Sequence, residues 1–215
     1  MIRHKAVYRG GSGEIVEKKS RFIANIKSVE TVEEAQVYIE EMKKKYWDAR
    51  HNCSAFSVGT EQVTTRCSDD GEPSGTAGKP ILEVISGSGI HNIVVVVTRY
   101  FGGTLLGTGG LIRAYTNAAK DALAACRLGE LTEGVHAFLD VDYNYVGKVQ
   151  YICAQNDITI VNTEYADGVT FELMMENAAR NVLEKNMTEM SSGKICLRDI
   201  CSMQMYRDDT GKLCR

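Results

Sequence analysis

Apolar and polar positions alternate along this chain with two different periods. Over Ser20–Val29, Phe22, Ala24 and Ile26 alternate with Arg21, Asn25 and Lys27, which predicts a half-buried strand. Val32, Ala35, Ile39, Met42 and Tyr46 then recur at spacings of three and four, one buried stripe on an amphipathic helix. Thr31 precedes that stripe and Glu34 follows three residues later, predicting a capping box. Glu33, Glu40, Lys43 and Lys44 fall on its solvated side. Asn52–Val58 and Gln62–Ser68 read as strands joined by a turn at Gly59. Ile93–Thr98 is an uninterrupted β-branched run, as expected of a central strand covered on both faces. Pro80 suits the first turn of a short helix over Ile81–Ser86. A longer helix, roughly Leu111–Cys126, carries Ala114, Ala118, Ala122 and Ala125, small enough to pack closely on a sheet.

A boundary is expected near Leu128–Gly134. Beyond it come a strand (Val135–Tyr143), a helix (Tyr145–Gln155), a strand (Ile158–Tyr165), a turn at Asp167-Gly168, a strand (Val169–Glu176), a helix (Ala178–Met190) and a strand (Ile195–Tyr206). That β-α-β-β-α-β order is the ferredoxin-like, split βαβ arrangement. The expected class is α+β with two domains, residues 1–130 and 131–215.

With 44% hydrophobic and 25% charged residues, the chain has material for a core and no disordered composition. The longest apolar run, Ile93–Val97, is too short to span a bilayer, and Met1–Ala6 leads into no apolar signal region, so a cytoplasmic location is expected. Seven cysteines, an odd number with no C-x-x-C pair, argue for reduced thiols rather than a disulfide framework or a zinc site; no metal or cofactor is expected. Residues 1–129 hold 17 Lys+Arg against 14 Asp+Glu, giving +3, while 130–215 hold 8 against 14, giving −6. An anionic partner would therefore meet the first part.

Two glycine-rich loops stand out. Asp69–Pro80 carries Gly75, Thr76, Gly78 and Lys79, where backbone N–H groups and a helix start can form an anion nest. A Walker A loop is excluded, because Pro73 stands five before Gly78 and Pro80 follows Lys79. Asp69, Asp70 and Glu72 form a possible acidic cluster, for a hard cation, for acid–base work or simply for fixing the loop. The second loop runs from Arg99 and Tyr100 through Gly102, Gly103, Gly107, Gly109 and Gly110 to Arg113. Its spacing is not the dinucleotide fingerprint. An arginine ending a central strand, or in the first turn of a helix, needs an anion: a ligand phosphate or a carboxylate of the other loop. Tyr100 and Tyr115 are candidates to stack bases, with Phe101 assigned to the core. His51 is a possible polar site, on the same strand face as Cys53. That pair is one arrangement for an activated nucleophile, but no acyl-transfer loop accompanies it.

Ser68–Pro80, Thr98–Gly103 with Leu106, Gly107, Gly109–Leu111, Ala114 and Tyr115, and His51-Asn52-Cys53-Ser54-Ala55 together resemble the signature of the IMPACT family, and the tail resembles its bacterial, YigZ-like branch. The resemblance implies a ribosomal-protein-S5-domain-2-like first domain and a second like the last domain of elongation factor G. It also implies a link to translation, since eukaryotic members compete for a ribosome-associated activator of an initiation-factor kinase. The leading expectation is thus a binder of RNA or a ribosomal surface without catalytic residues. The alternatives are an enzyme for a small phosphorylated or peptide-like substrate at the loops, and an adaptor meeting a protein through the second domain. Oligomeric state is left open.

Overall fold

A computed structural model describes residues 5–59 and 62–214. The chain divides into two compact units, Met1–Leu128 and Gly129–Arg215.

The first unit is built on an antiparallel sheet of order β2-β3-β6-β4-β5, from β2 (Ser12–Glu17), β3 (Ser20–Ser28), β4 (His51–Val58), β5 (Thr64–Ser68) and β6 (Ile93–Tyr100). β6 lies in the middle, and its side chains divide by parity. Ile93, Val95 and Val97 join the core under α2 (Gly78–Ser88) and α3 (Thr108–Ala124), whereas Val94 and Val96 join Ala35 and Met42 of α1 (Val32–Lys45). Helices on both faces explain why the run shows no alternation. Each buried Val or Ile contributes about 2 kcal/mol. β1 (Lys5–Arg9) adds Val7 to the larger core.

The helix stripe and its start are as the pattern predicts. Thr31 accepts from the Glu34 N–H at 3.1 Å. The Glu34 carboxylate reaches back to the N–H of Glu30, one residue before the cap, at 2.8 Å. α2 and α3 each begin three residues earlier than their apolar patterns suggest. Of the turn expected at Gly59, residues 60 and 61 lie outside the described residues.

The second unit has the split βαβ topology. β7 (Arg127–Val141), α4 (Val146–Gln155), β8 (Thr159–Tyr165), β9 (Val169–Glu176), α5 (Asn177–Ser191) and β10 (Leu197–Arg207) follow in chain order, with a short β11 (Leu213–Cys214). The strands lie in the order β11-β10-β7-β9-β8, and every pair is antiparallel. β7 starts eight residues before the expected Val135, because Glu130, Leu131 and Thr132 pair with Arg207, Tyr206 and Met205. Val135, Ala137, Leu139, Phe171 and Leu173 meet the two helices. The opposite sheet face carries the ion pairs Arg198–Asp140 and Arg207–Glu176 and a hydrogen bond between His136 and Glu172. No helix among the described residues is long and apolar enough to cross a membrane.

Candidate functional site

The two glycine loops meet at one end of the first sheet. Arg99, the seventh residue of β6, shares the parity of Val97 and pairs in register with Phe22 on one side and His51 on the other. Glu72 of the first loop descends onto it. Arg99 Nη1 donates to Glu72 Oε1 at 2.6 Å, and the Tyr115 hydroxyl of α3 donates to the same oxygen at 2.8 Å. Both charged side chains are more than nine-tenths buried. The guanidinium lies 5.4 Å from the ring centre of Phe22 and 5.7 Å from that of Phe101, and its Nε has no partner. The Cys53 thiol lies 3.0 Å from the Asp69 carbonyl oxygen and 3.3 Å from the Tyr115 hydroxyl. Burial pushes the Cys53 thiol and the Tyr115 phenol far above their usual ranges, so both stay protonated. A thiol held so cannot act as an activated nucleophile.

The other acids of the first loop also point inward. The Asp69 carboxylate accepts from the N–H groups of Gly75, Ala77 and Gly78 at 2.8, 3.0 and 2.8 Å. Partial burial alone would raise its pKa, but the three amides outweigh that and hold it below the usual carboxylate range. The nest is real, and an internal carboxylate fills it. Asp70 and Gly71 take positive φ, which doubles the chain back. Asp70 Oδ2 then accepts from the Asn52 N–H at 2.7 Å, and the Asp70 carbonyl lies 2.9 Å from His51 Nδ1. The Thr76 hydroxyl donates to the Pro73 carbonyl at 2.7 Å. No group of three potential metal ligands occurs among the described residues.

Several residues read from the sequence as ligand contacts therefore hold the fold instead. Gly75 and Gly78 donate to Asp69, Arg99 donates through Nη1 to Glu72, the Thr76 hydroxyl donates to the Pro73 carbonyl, and Asp70 is tied to Asn52 and His51. Gly78 and Gly102 serve close approach. A Cβ on Gly78 would lie 2.8 Å from the Ser68 backbone, and one on Gly102 2.0 Å from that of Lys19. Tyr115 is fully buried, which removes it as a stacking surface. Tyr100 is half-buried, its hydroxyl donating to Asp48 at 2.7 Å.

What stays open lies on the second loop and around it. Gly103, Gly107 and Gly109 are exposed and Gly110 half-buried. Gly107 caps α3 with no side chain to accept from the first N–H groups of that helix, of which those of Gly110 and Leu111 donate to the Gly107 carbonyl. Arg113 is exposed, without an ion-pair partner among the described residues, and a Cβ on Gly109 would lie 3.9 Å from its Nη1. Lys79 and Arg50 are likewise exposed and unpaired, at the start of α2 and just before β4. Phe101, expected in the core, is half exposed. Register puts Arg50 and Phe101 at one end of the sheet, where β4 begins and β6 ends; Ser68, ahead of the first loop, pairs with Ser54, and Arg113 lies two residues before Tyr115, whose hydroxyl reaches Glu72 there. Arg50 was not legible as part of this rim, since it follows the helix stripe in a segment without periodicity.

Residues 18–123 match the Impact N-terminal domain, and residues 139–194 match a domain of unknown function, DUF1949. The chain is 39% identical over 195 residues to the IMPACT family member YvyE of Bacillus subtilis, covering 90% of this chain and 89% of that one. It is 35% identical to the IMPACT family member YigZ of Escherichia coli, covering 84% and 89%. A crystal structure described as that of a hypothetical protein aligns over 92% of this chain and 97% of its own, at 33% identity and a TM-score of 0.58. With both units and the loop motifs accounted for, this chain belongs to the IMPACT family.

Proposed function

We propose that this protein binds RNA, ribosomal RNA included, through the rim of its first unit, and acts in the regulation of translation. The observation that carries this reading is the contrast in charge partners at the rim. The loop acids Asp69, Asp70 and Glu72 are all engaged in fixing the fold, while Arg50, Lys79 and Arg113 are exposed and unpaired. The side-chain-free start of α3 adds backbone donors beside Arg113, the arrangement suited to a phosphate oxygen. The +3 charge of this half supports an anionic partner. The translation role that the loop motifs imply for the family makes RNA the natural anion.

Enzymatic turnover gains no support from the geometry, since the acids that would do acid–base work are the ones holding the loop. The test is a salt titration of the purified full chain on labelled single-stranded RNA. Affinity should fall steeply with salt. Arg50→Ala, Lys79→Ala and Arg113→Ala together should lower the log–log slope by about 2, at roughly 0.7 per phosphate contact. Binding that is absent, insensitive to salt or unchanged in the triple variant refutes the reading.

A further inference from the structure

Trp47 is the chain's single tryptophan, and it is 82% exposed. It has no hydrogen-bond, ring or cation partner among the described residues. Its place is fixed. α1 ends at Lys45, and Tyr46–Arg50 leads directly into β4. The neighbouring Asp48 accepts from the Tyr100 hydroxyl at the end of β6. Residue 47 therefore lies in the connection from α1 to the rim end of β4, one residue before Asp48. Lys43, Lys44 and Lys45 fill the last turn of α1, and Arg50 follows three residues after Trp47. Lys44 and Arg50 are exposed, and Lys45 Nζ stands 5.0 Å from the Tyr46 ring centre. Asp48 is engaged by Tyr100 and Glu40 by Lys43 at 3.0 Å, while Glu41 is exposed with no hydrogen-bond or ion-pair partner among the described residues. The helix dipole accounts for lysines at the end of α1. It does not account for a large aromatic ring left in water among them.

We propose that Trp47 is a stacking platform for an unpaired base of single-stranded RNA, with Lys44, Lys45 and Arg50 taking the flanking phosphates. A flat π-face inside a cationic patch is what an unstacked base and its backbone fit. A base pair inside a duplex has both faces covered by its neighbours, and only the two end pairs offer one face each. The inference rests on the rim reading above and narrows it to single strands.

Because Trp47 is the only tryptophan, its fluorescence reports on the site directly. A short oligouridylate, a blunt RNA duplex of the same length and anionic phospholipid vesicles would each be titrated into the full chain. Stacking should quench Trp47 with the oligouridylate and not with the duplex. Trp47→Ala should weaken oligouridylate binding about tenfold and leave duplex binding unchanged, while Trp47→Phe should keep most of the affinity. At 82% exposure the side chain contributes little to the fold, so both variants should unfold with the parent chain. Unchanged fluorescence with undiminished binding by Trp47→Ala overturns the platform, even where Arg113→Ala still weakens RNA and the rim reading stands. A blue shift with vesicles alone overturns it in favour of a lipid surface. Failure of every RNA to bind removes rim and platform together.

Discussion

The two glycine-rich connections of the first unit have similar composition and opposite fates. In the first, Asp69 sits in the nest formed by Gly75, Ala77 and Gly78, and Glu72 closes over Arg99. In the second, Gly107 offers the start of α3 no side-chain cap, and Arg113 meets no carboxylate among the described residues. Glycine-flanked amides supply donors in both, with Lys79 on the first and Arg99 and Arg113 on the second. What separates them is whether the chain brings its own acid. The first loop carries three acids within four residues, and the second, from Arg99 to Arg113, carries none.

The comparison breaks most forcefully at the buried pair. Glu72→Gln or Arg99→Ala leaves a charge without its partner away from water, which costs about 3–5 kcal/mol. Urea denaturation should show that loss. A change below about 1 kcal/mol would mean that the pair does not hold the loop. Replacing both residues with apolar side chains should recover much of the stability, because the desolvation cost of the pair disappears with it.

Asp69 should follow. Asp69→Ala strips the acceptor from three backbone donors, an expected loss of about 2–3 kcal/mol. Its carboxyl is held below the ordinary range in the folded state, so the stabilisation is full at neutral pH. It is lost as pH falls through the carboxylate range and below it. Thermal unfolding followed from about pH 6 down to about pH 3 should therefore be flatter for Asp69→Asn than for the parent chain. An equally steep acid limb in both would assign the loss to other carboxylates.

On the open side the expectation reverses. Arg113→Ala, Lys79→Ala and Arg50→Ala should each change unfolding free energy by no more than about 0.5 kcal/mol. Affinity for RNA should drop with each, so stability and binding separate at this rim. A rim arginine whose removal destabilises the unit by more than about 1 kcal/mol would belong with Arg99.

Much of the fold is visible in the sequence because burial writes periodicity. The α1 stripe, the β6 run and the βαββαβ order all come from side chains sorted by face. The elements that escape it carry weak sorting. β2 is mostly exposed, and the first eight residues of β7, with two Gly, two Glu and one Thr, show no clean alternation and are paired with β10 from Glu130 on. The site is legible to the level of residue type and no further. The sequence places Arg99, Glu72 and Asp69 in the same two loops. Whether an arginine faces an acid or water is decided by register across strands far apart in the chain, here His51 and Phe22 flanking Arg99. Phe101 is half exposed for a related reason: β6 ends at Tyr100, so no strand neighbour covers that ring.

The smallest expected effect isolates what distinguishes the open loop. Gly107 has an ordinary φ of −68° and open space where a Cβ would go, so Gly107→Ser fits without strain. A serine hydroxyl at that cap can accept from an N–H in the first turn of α3, as Asp69 does for the first loop, and should raise stability by a few tenths of a kcal/mol. The same hydroxyl occupies a donor that a phosphate would otherwise use. Thermal unfolding should thus rise slightly while RNA affinity falls, two changes of opposite sign from one added oxygen. If stability rises and binding holds, the amides of α3 are not part of the contact, and the rim works through its side-chain cations alone.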